Sequence, residues 1–252
     1  MLPFPKFVRS VGRAGIVLVR SVGYFPHVVC AGDARRDLFR QLYATGIRTL
    51  PVVTVVSLFM GMILALQVGL ELARFNQEML LGAAVMLTLL REMAAFCCGI
   101  CLAACVGSAV AAELGTMKVN DEIDALTIMG IPPLRFLAAP RILALVLMAP
   151  LISFYCCIIG TIGGGLVGHT QLGVDFSQFM SSAMTMAVTK DLVVGLVKAT
   201  AFGLLVGVIS VTEGLGTKLG AMGVGRSTQR SVIVSFLAIL ISGYMITRMC
   251  YR

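Results

Sequence analysis

The chain has 252 residues, a net charge of +8 and a hydrophobic fraction of 58%. Its mean hydropathy of +0.97 excludes a soluble globular domain, because burying so much apolar surface without lipid would require an implausibly large core. The positive charge does not indicate nucleic acid binding, since the Lys and Arg residues flank apolar runs and do not form basic patches interleaved with aromatic residues.

The first predicted element is an interfacial amphipathic helix within residues 1–30. At about 100° per residue, one face is apolar: Phe4, Phe7, Val11, Ala14, Leu18, Val22 and Phe25. Arg9, Arg13 and Arg20 lie on the opposite face with Lys6, where they would meet anionic headgroups, and they are the predicted membrane-interface residues. The same arginines interrupt the apolar segment that a signal peptide needs. The alternative is an amphipathic helix docked on a partner protein.

The rest of the chain, residues 31–252, is predicted to be one polytopic membrane domain. After a polar connection at 31–46, five apolar runs reach the roughly 20 residues that span a bilayer. They are 49–70, 80–107, 140–166, 192–212 and 231–249. The fold class is therefore an all-α integral membrane protein with five transmembrane helices.

The distribution of basic residues predicts the orientation of the spans. Lys and Arg are concentrated before the first run and in the connections 2–3 and 4–5. The opposite side receives Arg74, Lys190, Arg248 and Arg252. The positive-inside rule therefore predicts a cytoplasmic N-terminus.

Three charged residues interrupt the apolar runs. Arg91 and Glu92 lie about halfway along the second run, and Lys198 lies in the fourth. An ionisable residue in lipid costs at least a few kcal/mol, so such residues usually face a bundle interior or a polar cavity. They indicate either a binding pocket or pathway, or a structural ion pair, or a helix displaced towards the headgroups. Lys198 could also reach the interface by snorkelling.

The sequence predicts no catalytic residue, no metal site and no nucleotide-hydrolysing site. Cys97, Cys101 and Cys105 share a helix face, but no second ligand cluster accompanies them, which favours helix packing. The glycines of "GTIGGGLVG" lack the lysine of a phosphate loop. With only two histidines, a Ser-His-Asp site or a His-based zinc site is poorly supported, and a Ser-Lys dyad through Lys198 remains as the enzymatic alternative.

The connection between the second and third runs concentrates charge. In "VNDEIDALTIMGIPP", Asn120 is the predicted N-cap of a helix over about 121–129, whose early carboxylates complement the helix dipole. Gly130 and the following two prolines end it. Val119, Ile123 and Leu126 form an apolar stripe. The residues alone leave open whether this is a solvated loop helix or one that engages a soluble partner.

These motifs resemble the signature of the MlaE family, the permease subunits of Mce-associated ABC transporters. The resemblance runs from about residue 10 to the C-terminus. The segments that carry it are "AAELGTMKVNDEIDALTIMGIPPLRFLAAPRILA", "LLRE", "GLVKATAFG" and "GVGRSTQRSVIVS".

The resemblance implies a permease subunit in the bacterial inner membrane that moves phospholipids or related lipids between this membrane and a periplasmic Mce-domain partner, coupled to a separate ATPase. The implied partners are a second copy of this chain, an ATP-binding subunit dimer, a periplasmic Mce-domain protein and a possible small accessory subunit. ATP and Mg²⁺ would bind the ATPase, with no cofactor in this chain. The 2–3 connection would be the coupling helix, with these contact residues: Glu113, Lys118, Asp121, Glu122 and Asp124. Arg91, Glu92 and Lys198 are candidates for the lipid pathway.

The chain departs from the family pattern at three places. Ala94-Ala95 replace the usual Gly-Pro, which puts a helix bend there in doubt. Cys105 replaces a usual Arg, and Gly243 replaces a frequent Asp in the last span. An intramembrane enzyme, such as an acyltransferase or protease using Lys198 or the Arg91-Glu92 pair, and a channel remain the competing hypotheses.

Overall fold

The computed structural model describes residues 12, 14–21, 23–25, 32–218 and 220–251. Within these ranges the regular secondary structure is helical and no strand occurs. Five helices in the described part of the chain are long and apolar enough to cross a membrane, which confirms the predicted fold class. A shorter apolar helix precedes them.

The helices are numbered here in chain order. They are α1 Ala14–Phe25, α2 Gly32–Thr45, α3 Leu50–Arg74, α4 Glu78–Val119, α5 Glu122–Ile128, α6 Leu134–Leu172, α7 Phe176–Met186, α8 Thr189–Leu215 and α9 Gly220–Cys250.

Most helices are longer than the apolar runs that predict them. The second membrane-spanning helix, α4, has 42 residues. At 1.5 Å per residue it extends about 63 Å, which is twice the thickness of a hydrocarbon core. An apolar run marks only the part of a helix that lies in lipid. The helix can continue beyond this run into water, because its backbone hydrogen bonds are made within the helix. Arg91 consequently lies in the first third of α4, not halfway along it. The segment 31–46, expected as a connection, is largely helical in α2.

The 2–3 connection is a short helix, as predicted, but its cap differs. Asn120 is the C-cap of α4, and Asp121 occupies the N-cap position of α5 with a left-handed φ of 59°. Asp and Asn tolerate this conformation better than other non-glycine residues. Gly130, at φ 76°, follows the helix end as expected.

The chain divides into two compact units. Unit 1 comprises the described residues of Met1–Thr49, Leu102–Met148 and Ala201–Ser242. Its α2 packs on α6 through a buried cluster of Leu38, Ala139, Leu143 and Ala144, against which Tyr24 and Phe25 of α1 also pack.

Unit 2 comprises Leu50–Cys101, Ala149–Thr200 and the described residues of Gly243–Arg252. Its helices approach closely where both carry glycine: a Cβ on Gly61 of α3 would meet the backbone oxygen of Gly160 of α6 at 1.9 Å. Small residues at helix interfaces allow this packing in membranes. The helix α7 approaches α4 closely at Gly82, where a Cβ would meet the Phe179 backbone oxygen at 2.0 Å, and the buried ring of Phe179 packs near Gly165 and Gly168 of α6.

Two π-helical turns interrupt α4, at Leu89–Met93 and Ala103–Gly107. Each adjoins or contains a departure from the family pattern, Ala94-Ala95 in the first case and Cys105 in the second. The loss of the Gly-Pro pair thus does not leave a regular α-helix, because a π turn inserts an extra residue into the helix. A third π turn, Leu134–Ala138, begins α6.

Candidate functional site

Unit 2 contains a network of charged side chains around the first π turn of α4. Arg91 and Glu92 are neighbours within this turn. They do not pair with each other; each contacts an oppositely charged residue of α8. A structural ion pair was one of the alternatives that the sequence left open for Arg91 and Glu92; in the structure each of them pairs with a residue of α8 instead.

Glu92 pairs with Lys198 of α8. The Lys198 ammonium donates to Glu92 Oε1 at 2.6 Å, to the Thr247 hydroxyl at 2.7 Å and to the Arg91 backbone oxygen at 2.8 Å. An ammonium group has three donors, and these contacts satisfy all of them. The Lys198 side chain is 1% exposed, so the expectation that it snorkels to the interface is wrong.

Arg91 pairs with Asp191, near the start of α8. Arg91 Nε donates to Asp191 Oδ1 at 3.0 Å, and the Tyr251 hydroxyl donates to the same oxygen at 2.6 Å. The Arg91 guanidinium also lies 4.7 Å from the centre of the Tyr251 ring, a cation–π contact. Burial and the bond to Asp191 raise the pKa of Tyr251 to about 12, so the phenol remains a neutral donor at physiological pH.

Two of the four charged side chains in this network are buried, and the other two are partly exposed. The side chains of Asp191 and Lys198 are 3% and 1% exposed, whereas Arg91 and Glu92 are each 40% exposed. The buried partners therefore fix the position of two adjacent, opposite charges at the surface of unit 2. Asp191 Oδ2 is buried without a hydrogen-bond partner in the described residues, so the carboxylate retains accepting capacity.

Sequence reasoning missed Asp191, Thr247 and Tyr251. The signal for Asp191 was present, because two basic residues in apolar runs require a second acidic partner besides Glu92. Thr247 and Tyr251 gave no such signal. Thr247 lies one turn after Gly243, where the family often has Asp, and supplies a hydroxyl to Lys198.

In unit 1, three predicted coupling residues already form ion pairs inside the chain. Lys118 Nζ lies 2.7 Å from Asp124 Oδ1, a pair that joins the end of α4 to α5. Glu113 Oε1 lies 2.8 Å from a terminal nitrogen of Arg141, whose side chain is 6% exposed. These contacts stiffen the 2–3 connection and its attachment to α6.

Asp121 and Glu122 are exposed and form no ion pair within the described part of the chain. Ile123 is buried and attaches α5 to its own unit. The end of the helix exposes Ile128 and Met129, which are 87% and 65% exposed. Sequence reasoning missed these two apolar residues, since they lie outside the predicted stripe. The connection thus presents carboxylates beside a projecting apolar tip.

The predicted membrane-interface arginines and the cysteines lie outside the charge network and the 2–3 connection. Arg20 is exposed on α1, and Arg9 and Arg13 lie outside the described residues. Cys97 and Cys101 are buried in unit 2. In the ranges that the structure describes, no group of three or more His, Cys, Asp or Glu residues could hold a metal ion.

Comparison with known proteins extends this description. The family model described as "Permease MlaE" matches residues 38–249. A probable ABC transporter permease protein of Rickettsia typhi is 35% identical, covering 96% of both chains. The intermembrane phospholipid transport system permease protein MlaE of Haemophilus influenzae is 32% identical over 97% of this chain and 93% of its own. The chloroplastic protein TRIGALACTOSYLDIACYLGLYCEROL 1 of Arabidopsis thaliana is 32% identical over 86% of this chain and 62% of its own.

Proposed function

This chain belongs to the MlaE permease family, and from that membership we propose that it exchanges phospholipids between the inner membrane and a periplasmic Mce-domain partner. Phospholipid transport by an ABC permease is established at the level of the family. The observation that carries the proposal is the match to a phospholipid transport permease along almost the entire chain.

We assign the energy source to a separate ATPase that binds ATP and Mg²⁺. The support is α5, which is short, anchored by Ile123 and by the Lys118–Asp124 pair, and yet exposes Asp121 and Glu122. Its apolar end, Ile128 and Met129, resembles the core of a protein interface with a charged rim. A stiff connection of this kind can transmit the movement of a bound ATPase to α4 and α6.

We assign the lipid pathway to the surface of unit 2 around Arg91 and Glu92. Phospholipid headgroups carry a phosphate, which is complementary to the charge of Arg91, and often an ammonium group, which is complementary to the charge of Glu92. The buried partners Asp191 and Lys198 hold these charges in place without occupying their exposed sides. Preorganised polar groups cost less on binding than mobile ones.

The proposed assembly is a homodimer with an ATPase dimer, a periplasmic Mce-domain protein and a possible small accessory subunit. Residues 1–30 would lie along the cytoplasmic surface of the inner membrane through Arg9, Arg13 and Arg20, and residues 31–252 would form the transmembrane domain.

The coupling role can be tested by moving charge without removing the internal pair. The double variant Lys118→Asp/Asp124→Lys keeps an ion pair between α4 and α5 but reverses the charges that a partner meets. The variant Asp121→Lys/Glu122→Lys reverses the unpaired charges. Both should lower copurification of the ATPase, and ATP hydrolysis coupled to lipid in nanodiscs, by about tenfold or more.

The matched control is Glu71→Lys/Glu78→Lys, which reverses exposed charges in the segment predicted to be periplasmic. It should leave ATPase assembly unchanged. Intact assembly and transport in both coupling variants would refute the assignment of α5. Lipid turnover by the single purified chain would instead support the intramembrane enzyme.

A further inference from the structure

Unit 1 contains a cavity of about 660 Å³ that the transport proposal does not use. Its volume lies in the range of small-molecule and cofactor sites. It is bounded by α2, the turn that follows α2, the second half of α4 and the start of α6. Three arginines, Arg40, Arg48 and Arg141, contribute to its wall.

The arginines differ in how they are held. Arg141 is 6% exposed, bonds the Leu137 backbone oxygen and pairs with Glu113, while its Nε is buried without a hydrogen-bond partner. Arg40 and Arg48 are exposed at the cavity, and neither forms an ion pair within the residues that the structure describes. One fixed and two adjustable guanidinium groups thus border the same space.

The charge of the lining favours an anion. Asp37 and Glu113 also line the cavity, but Glu113 is already neutralised by Arg141. Arg40 and Arg48 then exceed Asp37 by one positive charge. Guanidinium groups bind phosphate through paired N–H donors better than any other side chain.

Most of the remaining lining is apolar, and Gln41 and Thr49 are its uncharged polar members. Val106, Val110, Phe136 and Leu137 line the cavity beside the arginines. A free inorganic anion gains nothing from such a surface, whereas the glycerol and upper acyl carbons of a lipid gain from burial. Arg40 and Arg48 precede the first span, on the side predicted to be cytoplasmic, where anionic lipids are enriched.

We propose that this cavity binds the phosphate group of an anionic phospholipid. The lipid would sit between α2, α4 and α6, with its phosphate at Arg40 and Arg48 and its glycerol region against Phe136. This inference does not depend on the transport proposal, because a bound lipid in unit 1 needs neither an ATPase nor an Mce partner.

The absence of tryptophan from the chain allows a direct test. Phe136→Trp places a single reporter at the cavity of the full-length protein. Phospholipids with brominated acyl chains quench tryptophan on contact. In vesicles of mixed composition, brominated phosphatidylglycerol should quench at a roughly tenfold lower mole fraction than brominated phosphatidylcholine.

The matched variants separate this cavity from general surface charge. Arg40→Gln/Arg48→Gln should abolish the preference for phosphatidylglycerol. Arg35→Gln/Arg36→Gln removes the same charge from exposed positions of α2 outside the cavity lining and should preserve it. Equal loss in both pairs, or equal quenching by the two lipids before substitution, would overturn the proposal.

A second arm distinguishes the source of the phosphate. Inorganic phosphate at millimolar concentration, added with phosphatidylcholine alone, should leave the tryptophan emission unchanged; a saturating shift would replace the lipid by free phosphate as the ligand. Native mass spectrometry of the protein without the reporter provides an independent measurement. The retained anionic lipid should fall about tenfold in Arg40→Gln/Arg48→Gln alone, and an unchanged amount would contradict the proposal.

Discussion

At the scale of single residues, a charged side chain buried within an apolar helix needs a partner. Lys198 is almost fully buried, and its three donors meet Glu92, Thr247 and the Arg91 backbone. Burying an ammonium group without these acceptors would cost several kcal/mol, because its charge would be left without hydrogen-bond partners. The position of Glu92 at the surface of unit 2 therefore depends on Lys198, which does not itself reach that surface.

We predict that Lys198→Met destabilises the protein more than Lys198→Met/Glu92→Gln. The single variant leaves a carboxylate without its cation; breaking a buried pair costs about 3–5 kcal/mol, and the 40% exposure of Glu92 reduces this to roughly 2 kcal/mol. The double variant should recover about half of the loss. The free energy of unfolding in detergent micelles, measured as a double-mutant cycle, tests this coupling.

The control for this cycle is Tyr244→Phe, which alters an exposed residue of α9 and should not change stability. If the single and double variants unfold at the same free energy, Glu92 does not depend on Lys198 and the network is not an interacting unit.

At the scale of elements, glycine contacts set how closely the helices of unit 2 pack. Gly61 allows α3 to lie directly against α6, since no Cβ fits between it and the backbone of Gly160. Backbone contacts of this kind are the main source of helix association in lipid, where the hydrophobic effect contributes little. The short helix α5 is positioned differently: the turn at Asp121 sets where it begins, and the buried side chain of Ile123 attaches it to unit 1.

Substitution of Gly61 by Ala should separate α3 from α6. The added methyl group would meet a backbone oxygen that cannot rotate away, so we expect a loss of about 1–3 kcal/mol in spite of the better helix propensity of alanine. Gly225→Ala is the control, because nothing lies within 4 Å of its Cβ; it should be neutral or slightly stabilising. A loss of equal size in both variants would indicate a general effect of helix glycines.

At the scale of the whole molecule, five membrane-spanning helices and the distribution of basic residues predict that residues 32 and 251 lie on opposite sides of the membrane. Basic residues flank α5 and the connection between α8 and α9: Lys118, Arg135, Arg141, Lys218, Arg226 and Arg230. The connections at 75–77 and 173–175 are flanked only by Arg74 and Lys190. The positive-inside rule predicts that α5 lies on the cytoplasmic side, the side of the proposed ATPase.

Protease sites inserted into the connections test this orientation. A site after Gly173 should be cut by protease added outside spheroplasts, and a site after Gly130 should be cut only after lysis. Both insertions lie at glycines with positive φ and no close neighbour, so the fold should tolerate them. The reverse pattern would exclude coupling of α5 to a cytoplasmic ATPase.

The limits of sequence reasoning are clearest in the charge network. The sequence identified Arg91, Glu92 and Lys198 as candidates because charged residues are rare in apolar runs. It did not identify Thr247 or Tyr251, since a hydroxyl near the end of the last helix is common. Nor did it distinguish the exposed members of the network from the buried ones, since burial depends on which helices become neighbours.

The sequence by itself determined that the chain lies in a membrane, how many helices span it, where the 2–3 helix lies and which family the chain belongs to. The reason is that apolar length, helix caps and ordered motifs are local properties of the chain. Only the tertiary structure decided which opposite charges pair, that α4 contains π turns where the family pattern changes, and that Arg40, Arg48 and Arg141 border one cavity. The contacts of the charge network join residues 49 to 155 positions apart, and such contacts arise from helix packing, which no local pattern specifies.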